Sequence, residues 1–567
     1  MIKKRTKITY TKTLFENNRG ILAMALIVRV ITEICFVLVA YFMQQILKAG
    51  TEKDLDLLLL TVRNMAFFFA FTGTFILVRV YLESAFQKRA LQNYKEHTMS
   101  SILKKNIRGF FHHRTGEYIS TFTNDLNPIE AGYLNGIFVI PVRFVHLFTA
   151  LAMMAYYNGS FTILMVALTI IPFFISVLAS RKLAAKEMAL SASNRNFVAY
   201  MKDLFSGFTV IKSFQAEENV HQIFLEENRE LESTRYQRNL TKGRLGLMSF
   251  ISSELVQTFA FLYSAYLAIQ GKMEASAVIV FVQLMSYVLG PLQDLPTEVA
   301  AFHAGREIIG RAEGLTHREE DPLAIKEMTH ESSIKVRNLC FSYGPGVQTL
   351  DHITHTFEKG KSYALVGPSG SGKSTLLKML LGTFDAYEGE ILYDSLSLRE
   401  ISLDSLYHHV SLIEQNVFVF DTNMENNITL FQPFEEEDIQ VSVSRANLKE
   451  VFEAKGSESC GENGSNLSGG EKQRLSIARA LIRQSSILFV DEATAALDQD
   501  TTRKIMDTIL SLKNTTRIVI SHNLDGDIMN KFDQILVLKE GKLVETGTYT
   551  ELMEEKGLFY SMVQVEM

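Results

Sequence analysis

This 567-residue chain lacks tryptophan, paired cysteines and any excess of basic charge. Without Trp, an aromatic belt at a membrane surface would have to come from tyrosines. The three cysteines, Cys35, Cys340 and Cys460, form no C-x-x-C pair, which argues against a disulfide framework and against a zinc site. The net charge of −6 argues against nucleic acid as a partner, because duplex binding needs a concentrated basic surface.

Long hydrophobic runs dominate the first half. Hydrophobic residues make up 47% of the chain, and six stretches precede residue 300. Each is close to the ~20 residues that a helix needs to cross a bilayer. The basic start followed by an apolar run looks like a signal peptide, but the run is long and no small-residue cleavage site follows, so we expect a retained membrane helix. The stretches are 20–43, 60–82, 134–157, 160–180, 246–270 and 275–292.

The spacing of these stretches predicts their topology. Short links join them in pairs, whereas two long polar segments of helical periodicity, 83–133 and 181–245, separate the pairs and are rich in Lys and Arg. Basic segments stay on the cytoplasmic side. We therefore expect a multi-pass protein of the cell (plasma) membrane whose N-terminus and second half are cytoplasmic.

The pattern changes near Ser332. Strands are predicted at 334–341, 362–366, 487–490 and 517–521, with a helix at 374–381. Strands that alternate with helices around a phosphate loop indicate an α/β nucleotide-binding domain. The predicted domains are 1–310 in the membrane, a polar linker at 311–331, and 332–567 for the nucleotide.

The phosphate loop fits the pattern G-x-x-x-x-G-K-[ST], in which backbone N–H groups wrap a polyphosphate. Lys373 is expected to reach the β- and γ-phosphates of ATP, and the Ser374 hydroxyl to ligate Mg²⁺. The candidate binding residues here are Gly367, Pro368, Ser369, Gly370, Ser371, Gly372, Lys373, Ser374 and Thr375.

Two carboxylates follow the apolar segment 487–490. Asp491 suits the Mg²⁺ shell, and Glu492 suits a general base that polarises the attacking water. An isolated Asp-Glu pair after a core strand is commonly a solvated turn. Beside a phosphate loop, the pair favours ATP hydrolysis.

Five further motifs accompany the phosphate loop and the carboxylate pair along the chain: Phe341–Gly344, Leu412–Gln415, Leu467–Glu471, Ala496–Asp498 and His522. With these motifs, residues 332–567 resemble the nucleotide-binding domain of ABC transporters, in which Leu467–Glu471 corresponds to the signature. The resemblance implies that Tyr343 stacks on adenine and that Gln415 contacts Mg²⁺ and the attacking water. It implies that Ser468, Gly469 and Gly470 close over ATP held by the other subunit, with Asp498 in the D-loop and His522 at the γ-phosphate.

Two features depart from the family pattern. The signature ends in Glu471, where Gln is commoner, and the segment 454–466 before it looks shortened. Glu462 in that segment is a candidate for the glutamate that, in the family, communicates with the membrane domain.

The first half carries further motifs at 110–111, 115–120, 123–125, 207–214 and Pro291-Leu292. With these motifs, the first 300 residues resemble the six-helix membrane domain of ABC exporters. This resemblance implies an all-α polytopic domain of the exporter type 1 fold, with coupling helices near 111–119 and 204–212. One ATPase domain per six helices leaves the signature without an opposing phosphate loop, so we expect a dimer.

Charged residues inside hydrophobic segments suggest function by default. Arg29 and Glu33 lie one turn apart, as do Arg79 and Glu83, and we expect each pair to form within its own helix or to snorkel. Glu254 has no local partner, so both a substrate-binding and a structural role stay open.

We expect ATP-driven export of an amphipathic or hydrophobic solute such as a drug, lipid or peptide. An importer of metal-chelating siderophores shares the fold and is an alternative suggested by 493–498. A soluble ABC ATPase and a channel-regulating membrane ATPase are further rivals. Intact motifs favour a homodimer, and a heterodimer with a second half-transporter stays open.

Overall fold

The structure is a computed structural model that describes residues 9–111, 113, 115–316, 326–344, 346, 348–492 and 497–566. The chain divides into two compact units, 1–104 with 113–317, and 105–112 with 318–567. Most of the basic N-terminal flank, residues 317–325 of the predicted linker and the segment 493–496 lie outside the described residues.

Long helices build the first unit. Six of the described helices are long and apolar enough to span a membrane, and each contains one of the predicted hydrophobic stretches, wholly or for the most part. The prediction of a six-helix polytopic fold is therefore confirmed. In chain order the helices are α1 (Thr9–Leu14), α2 (Arg19–Glu52), α3 (Leu55–Leu103), α4 (Ile107–Phe111, in the second unit), α5 (Thr115–Phe122), a π-helix (Pro128–Leu134), α6 (Asn135–Tyr157), α7 (Gly159–Ser206), α8 (Phe208–Ser213), α9 (Glu217–Ile269) and α10 (Ala277–Thr316).

Tight turns with side-chain caps explain two of the short links. Asp54 accepts a hydrogen bond from the backbone N–H of Leu57 at 2.9 Å, and Asn158 accepts one from Phe161 at 3.0 Å. Each cap satisfies a backbone donor that a helix start leaves unpaired. Helix α10 continues to Thr316, so the first six residues of the predicted linker, 311–316, are helical.

The π-helix and α10 pack with backbones almost touching. A Cβ on Gly132 would lie 2.5 Å from the carbonyl oxygen of Ala301, and one on Gly305 would lie 2.6 Å from that of Pro128. Only glycine fits such an approach. The Tyr133 and Phe302 rings stack beside this contact with centroids 4.9 Å apart.

The prediction that the membrane charges pair within their own helices is wrong. The Arg29 Nη1 atom of α2 lies 2.9 Å from Glu83 Oε1 of α3, and Arg79 of α3 lies 3.7 Å from Glu33 of α2. Glu33 also contacts His146 Nδ1 of α6 at 3.0 Å. The charges pair between helices because a charge in an apolar layer is stabilised by the nearest opposite charge. In the packed helices, that opposite charge lies on a neighbouring helix.

The described residues of the second unit form two sheets. A mixed six-stranded sheet has the order β10-β9-β3-β8-β7-β6, and an antiparallel sheet has the order β2-β1-β4-β5. Its strands are β1 (Ser333–Phe341), β2 (Leu350–Glu358), β3 (Ser362–Val366), β4 (Glu388–Tyr393), β5 (Leu396–Ser397), β6 (Val410–Ile413), β7 (Ile487–Asp491), β8 (Thr516–Ile520), β9 (Gln534–Lys539) and β10 (Lys542–Gly547).

Helices complete the second unit. In chain order they are α11 (Lys373–Leu380), α12 (Leu403–His409), α13 (Met424–Thr429), α14 (Glu436–Arg445), α15 (Lys449–Lys455), α16 (Gly469–Ile482), α17 (Gln499–Leu510), α18 (Gly526–Met529), α19 (Tyr549–Glu555) and α20 (Leu558–Glu566).

The larger sheet positions the site. Strands β3 and β8 are buried along their whole length, as expected for parallel strands covered on both faces. Strands β6, β7, β8, β3 and β9 run parallel, so their carboxyl ends share one edge. The predicted α/β fold and four predicted strands are confirmed within one or two residues. Ligands of open α/β sheets bind at this edge.

Candidate nucleotide site

The phosphate loop joins β3 to α11 by a turn that needs glycine. Gly367 has φ 146°, and a Cβ there would lie 2.1 Å from the carbonyl oxygen of Leu538. Gly372 has φ 100° and directly precedes α11, and a Cβ there would lie 2.9 Å from the carbonyl oxygen of Thr349. The turn therefore leads directly into a helix N-terminus, where backbone N–H groups and the helix dipole favour phosphate.

Lys373 lies folded into this loop. Its Nζ donates to the carbonyl oxygens of Gly367 at 2.8 Å and Pro368 at 3.0 Å, and the residue is buried. Desolvation lowers the pKa of Lys373, while the nearby carboxylates of Glu492 and Asp491 raise it by a smaller amount. A polyphosphate in the loop would replace two neutral carbonyls with charged oxygens, which are stronger partners for an ammonium group.

Ser374 and Asp491 form an oxygen pair beside the loop. The Ser374 hydroxyl donates to Asp491 Oδ1 at 3.2 Å. Desolvation raises the pKa of Asp491, while the Ser374 hydrogen bond lowers it. Hydroxyl and carboxylate oxygens are the ligands that Mg²⁺ prefers, so this pair fits the predicted metal site.

Glu492 is held from two sides. His522 Nε2 lies 2.6 Å from its Oε1, and Gln415 Nε2 lies 2.5 Å from its Oε2. Glu492 thus contacts both of the other residues predicted as catalytic, although the three are far apart in sequence. Glu492 also has φ 52°, a conformation rare for a side-chain-bearing residue and typical of functional sites.

Tyr343 presents an aromatic face near the loop. Its side chain is largely exposed, its hydroxyl lies 3.3 Å from the Thr375 hydroxyl, and its ring packs edge-on against Phe341 and Phe384. An exposed ring fixed by two neighbours is a suitable platform for a nucleobase.

The signature residues open helix α16. Ser468 is the N-cap: its hydroxyl accepts from the Glu471 N–H at 3.3 Å, and Glu471 Oε2 accepts from the Ser468 N–H at 2.6 Å. Glu471, the departure from the family pattern, therefore completes a capping box. Ser468 and Gly469 are exposed, and Gly470 is half-buried, so the helix start is open to a partner.

Two further predicted residues, Asp498 and Glu462, lie at the starts of helical segments. Asp498 is the N-cap of α17 and accepts from Thr501 N–H at 2.9 Å. Ala496 of its predicted motif lies outside the described residues, as does the rest of the variant segment 493–496, whereas Leu497 is half-buried. Glu462 is exposed at the start of a short 3₁₀ turn, Glu462–Gly464.

Helix α4 contacts this site through residues that no sequence motif marks. Arg108 Nη1 lies 3.2 Å from Asp385, and its Nη2 donates to the Gly382 carbonyl at 3.4 Å. A cleft between α4 and the sheet edge extends to Gln415 and Asp491. The helix predicted near 111–119 is therefore two helices, α4 and α5, and the first belongs to the nucleotide-binding unit.

A half-buried arginine links the signature helix to the segment after Gln415. Arg479 of α16 donates through Nε to the Asn427 carbonyl at 2.8 Å and through Nη1 to the Phe418 carbonyl at 3.1 Å. Desolvation lowers the pKa of Arg479. No motif in the sequence marks this residue, because its role depends on where Asn427 lies in the fold.

Comparison with known proteins identifies the family. Residues 22–292 match the family described as ABC transporter transmembrane region, and residues 350–495 match the one described as ABC transporter. The chain belongs to the ABC transporters. It carries the membrane region and the ATPase region of this family in one polypeptide, and is thus a half-transporter that hydrolyses ATP.

The similar proteins include a probable multidrug resistance transporter, a lipid A-core flippase and an exporter of known structure. A probable multidrug resistance ABC transporter of Bacillus subtilis is 28% identical over 499 residues, covering 86% of this chain and 73% of that protein. The ATP-dependent lipid A-core flippase of Pseudomonas aeruginosa is 29% identical over 503 residues, covering 86% and 81%. A bacterial Atm1-family ABC exporter with ATP bound shares the fold of this ABC transporter, with TM-score 0.87, 22% identity and coverage of 97% and 98%.

Proposed function

We propose that this half-transporter works as a dimer that exports an amphipathic or hydrophobic solute, powered by ATP bound between two nucleotide-binding domains. A homodimer is the form that we favour, because the phosphate loop, Asp491, Glu492, His522 and the signature are all present in this one chain.

The contact of Glu492 with His522 and Gln415 carries the catalytic half of the proposal. Glu492 would accept the proton of the attacking water as general base. His522 and Gln415 would hold its two carboxylate oxygens in place, at 2.6 and 2.5 Å. Lys373 and the loop N–H groups would bind the phosphates, and Tyr343 would stack on adenine.

Magnesium fits the oxygen atoms present. Ser374 and Asp491 would hold the ion, with the amide oxygen of Gln415 as a further ligand. When bound, Mg²⁺ neutralises charge that develops on the phosphate oxygens.

Ser468, Gly469 and Gly470 would complete the site from the second subunit. The capping box leaves the Ser468 hydroxyl proton free to donate, because that hydroxyl accepts from Glu471 N–H. Donation to a γ-phosphate across the dimer uses this proton and the dipole of α16. Asp498, at the start of α17, would lie near the same seam.

Three arginines of the membrane helices are paired with carboxylates, which favours an amphipathic over an ionic solute. Arg29 pairs with Glu83, Arg79 with Glu33, and Arg143 with both Asp294 and Glu298. Groups that neutralise one another stabilise helix packing and attract a charged solute weakly. Two relatives are named for multidrug resistance and for lipid A-core flipping, which agrees with this class.

Transport in inside-out vesicles tests the proposal. With the ATPase domain cytoplasmic and export as the direction, ATP should drive a fluorescent amphipathic dye or lipid into the vesicle lumen, and Glu492→Gln vesicles should accumulate none. ATP-driven loss of preloaded solute would indicate import instead. The sequence variant that suggested an importer lies at 493–498, mostly outside the described residues, so the direction of flux must decide.

A further inference from the structure

A cleft with three cations lies where α1, the start of α2, the π-helix and the distal part of α10 meet. Its volume is about 660 Å³, within the range of ligand pockets. Lys12, Arg19 and Arg306 supply its charge, and Phe15, Tyr133 and Phe302 supply its aromatic wall. The nucleotide site uses none of these residues, since all six belong to the first unit.

No acidic side chain of the described residues lines this cleft to pair with its cations. In the described part of the chain, no ion pair involves Lys12, Arg19 or Arg306. All three side chains are exposed.

The cleft lies at the end of the spanning segments. Arg19 begins α2, whose hydrophobic run starts at the next residue, and Tyr133 directly precedes the third hydrophobic stretch. Phe302 stacks on Tyr133, and Arg306 follows one helical turn further along α10. Aromatic rings beside cations at this depth are typical of the membrane–water interface, where lipid headgroups lie.

Close backbone packing fixes the wall of the cleft. Gly132 and Gly305 hold the π-helix against α10 with no room for a side chain between them. Tyr133 and Arg306 each follow one of these glycines, so their backbones are fixed before any ligand arrives. A preformed site loses less conformational entropy on binding than a mobile surface does.

We propose that this cleft binds the headgroup of an anionic phospholipid. The three cations would bind the phosphate and any second anionic group, while acyl chains would continue along the apolar start of α2 at Leu22. A soluble phosphate would gain the charge contacts but would leave the aromatic wall exposed. Basic pockets between membrane helices at the interface recognise such headgroups.

The test uses the full-length purified protein in zwitterionic lipid nanodiscs and measures binding of fluorescent phosphatidylglycerol. Each cation near an anionic headgroup contributes about a fivefold change in affinity, so Lys12→Gln/Arg19→Gln/Arg306→Gln should weaken binding roughly a hundredfold. The matched control is Lys88→Gln/Arg89→Gln/Lys186→Gln, which removes three exposed cations elsewhere in the same unit and should leave binding within about twofold.

A charge-retaining variant guards against misfolding. Lys12→Arg/Arg19→Lys/Arg306→Lys should keep most of the affinity. Glycerol phosphate at millimolar concentration should fail to displace the labelled lipid, and phosphatidylcholine should compete weakly. Equal loss in the control variant, full affinity in the neutralised variant, or displacement by glycerol phosphate would each overturn the proposal.

Discussion

Replacing Glu492 by Gln removes a base and keeps its shape. The carboxylate is bracketed by His522 at 2.6 Å and Gln415 at 2.5 Å, and an amide of the same length can occupy that position. It still offers an oxygen to accept a hydrogen bond, but it accepts no proton from water. We therefore expect ATP to bind normally and to be hydrolysed slowly.

The size of the effect follows from the role. A positioned general base contributes a factor of about 10² to 10⁴ in rate, or about 3–5 kcal/mol of activation free energy. The assay is phosphate release by the purified protein in nanodiscs, together with retention of labelled ATP. The control is Glu540→Gln, an exposed carboxylate in the β9–β10 turn, which should stay within about twofold of the parent.

Hydrolysis by Glu492→Gln within about tenfold of the parent rate would refute the assignment. A loss of ATP retention that matched the loss of rate would also refute it. In that case Glu492 would bind the nucleotide rather than activate water.

Three further changes have defined outcomes. Arg29→Met leaves Glu83 unpaired and should destabilise the protein by about 3 kcal/mol, whereas adding Glu83→Met should restore much of the melting temperature. Gly367→Ala would force a Cβ to 2.1 Å from a carbonyl oxygen, so equilibrium dialysis should show that ATP binding is lost in a protein that still reaches the membrane. Burial lowers the pKa of His355 to about 4. As the pH falls below 6.5, the unfolded chain therefore binds a proton at this histidine before the folded chain does. Thermal unfolding should therefore show up to about 3 kcal/mol lost between pH 6.5 and 4, and less in His355→Asn.

Local patterns explain why much of the site could be predicted. The phosphate loop, and the carboxylates at the end of β7, are set by adjacent residues, because glycine turns and apolar runs act over a few positions. The parallel sheet then brings Glu492 and His522 to one edge, as the strand pattern implied. The six spans follow from length and hydrophobicity alone.

Contacts between distant elements explain the rest. Arg29 and Glu33 are correctly spaced for a pair within one helix, but packing α2 against α3 offers each a partner on the other helix. The sequence around Arg479 is that of an ordinary helix, and its role depends on the carbonyl of Asn427, which only the fold brings beside it. Likewise, the sequence around Arg108 carries no sign that Asp385 will pair with it.

The central claim is that each ATP site takes its phosphate loop from one chain and its signature from the other. Complementation between two inactive variants tests it most directly. Chains with Lys373→Ala and chains with Ser468→Arg, differently tagged, are co-expressed, and mixed dimers are isolated through both tags. Both homodimers should be inactive, and the mixed dimer should regain ATP hydrolysis, because one of its sites combines an intact Lys373 with an intact Ser468 of the other chain. Verified mixed dimers without activity would contradict the account, because that result is expected if each chain built its site alone.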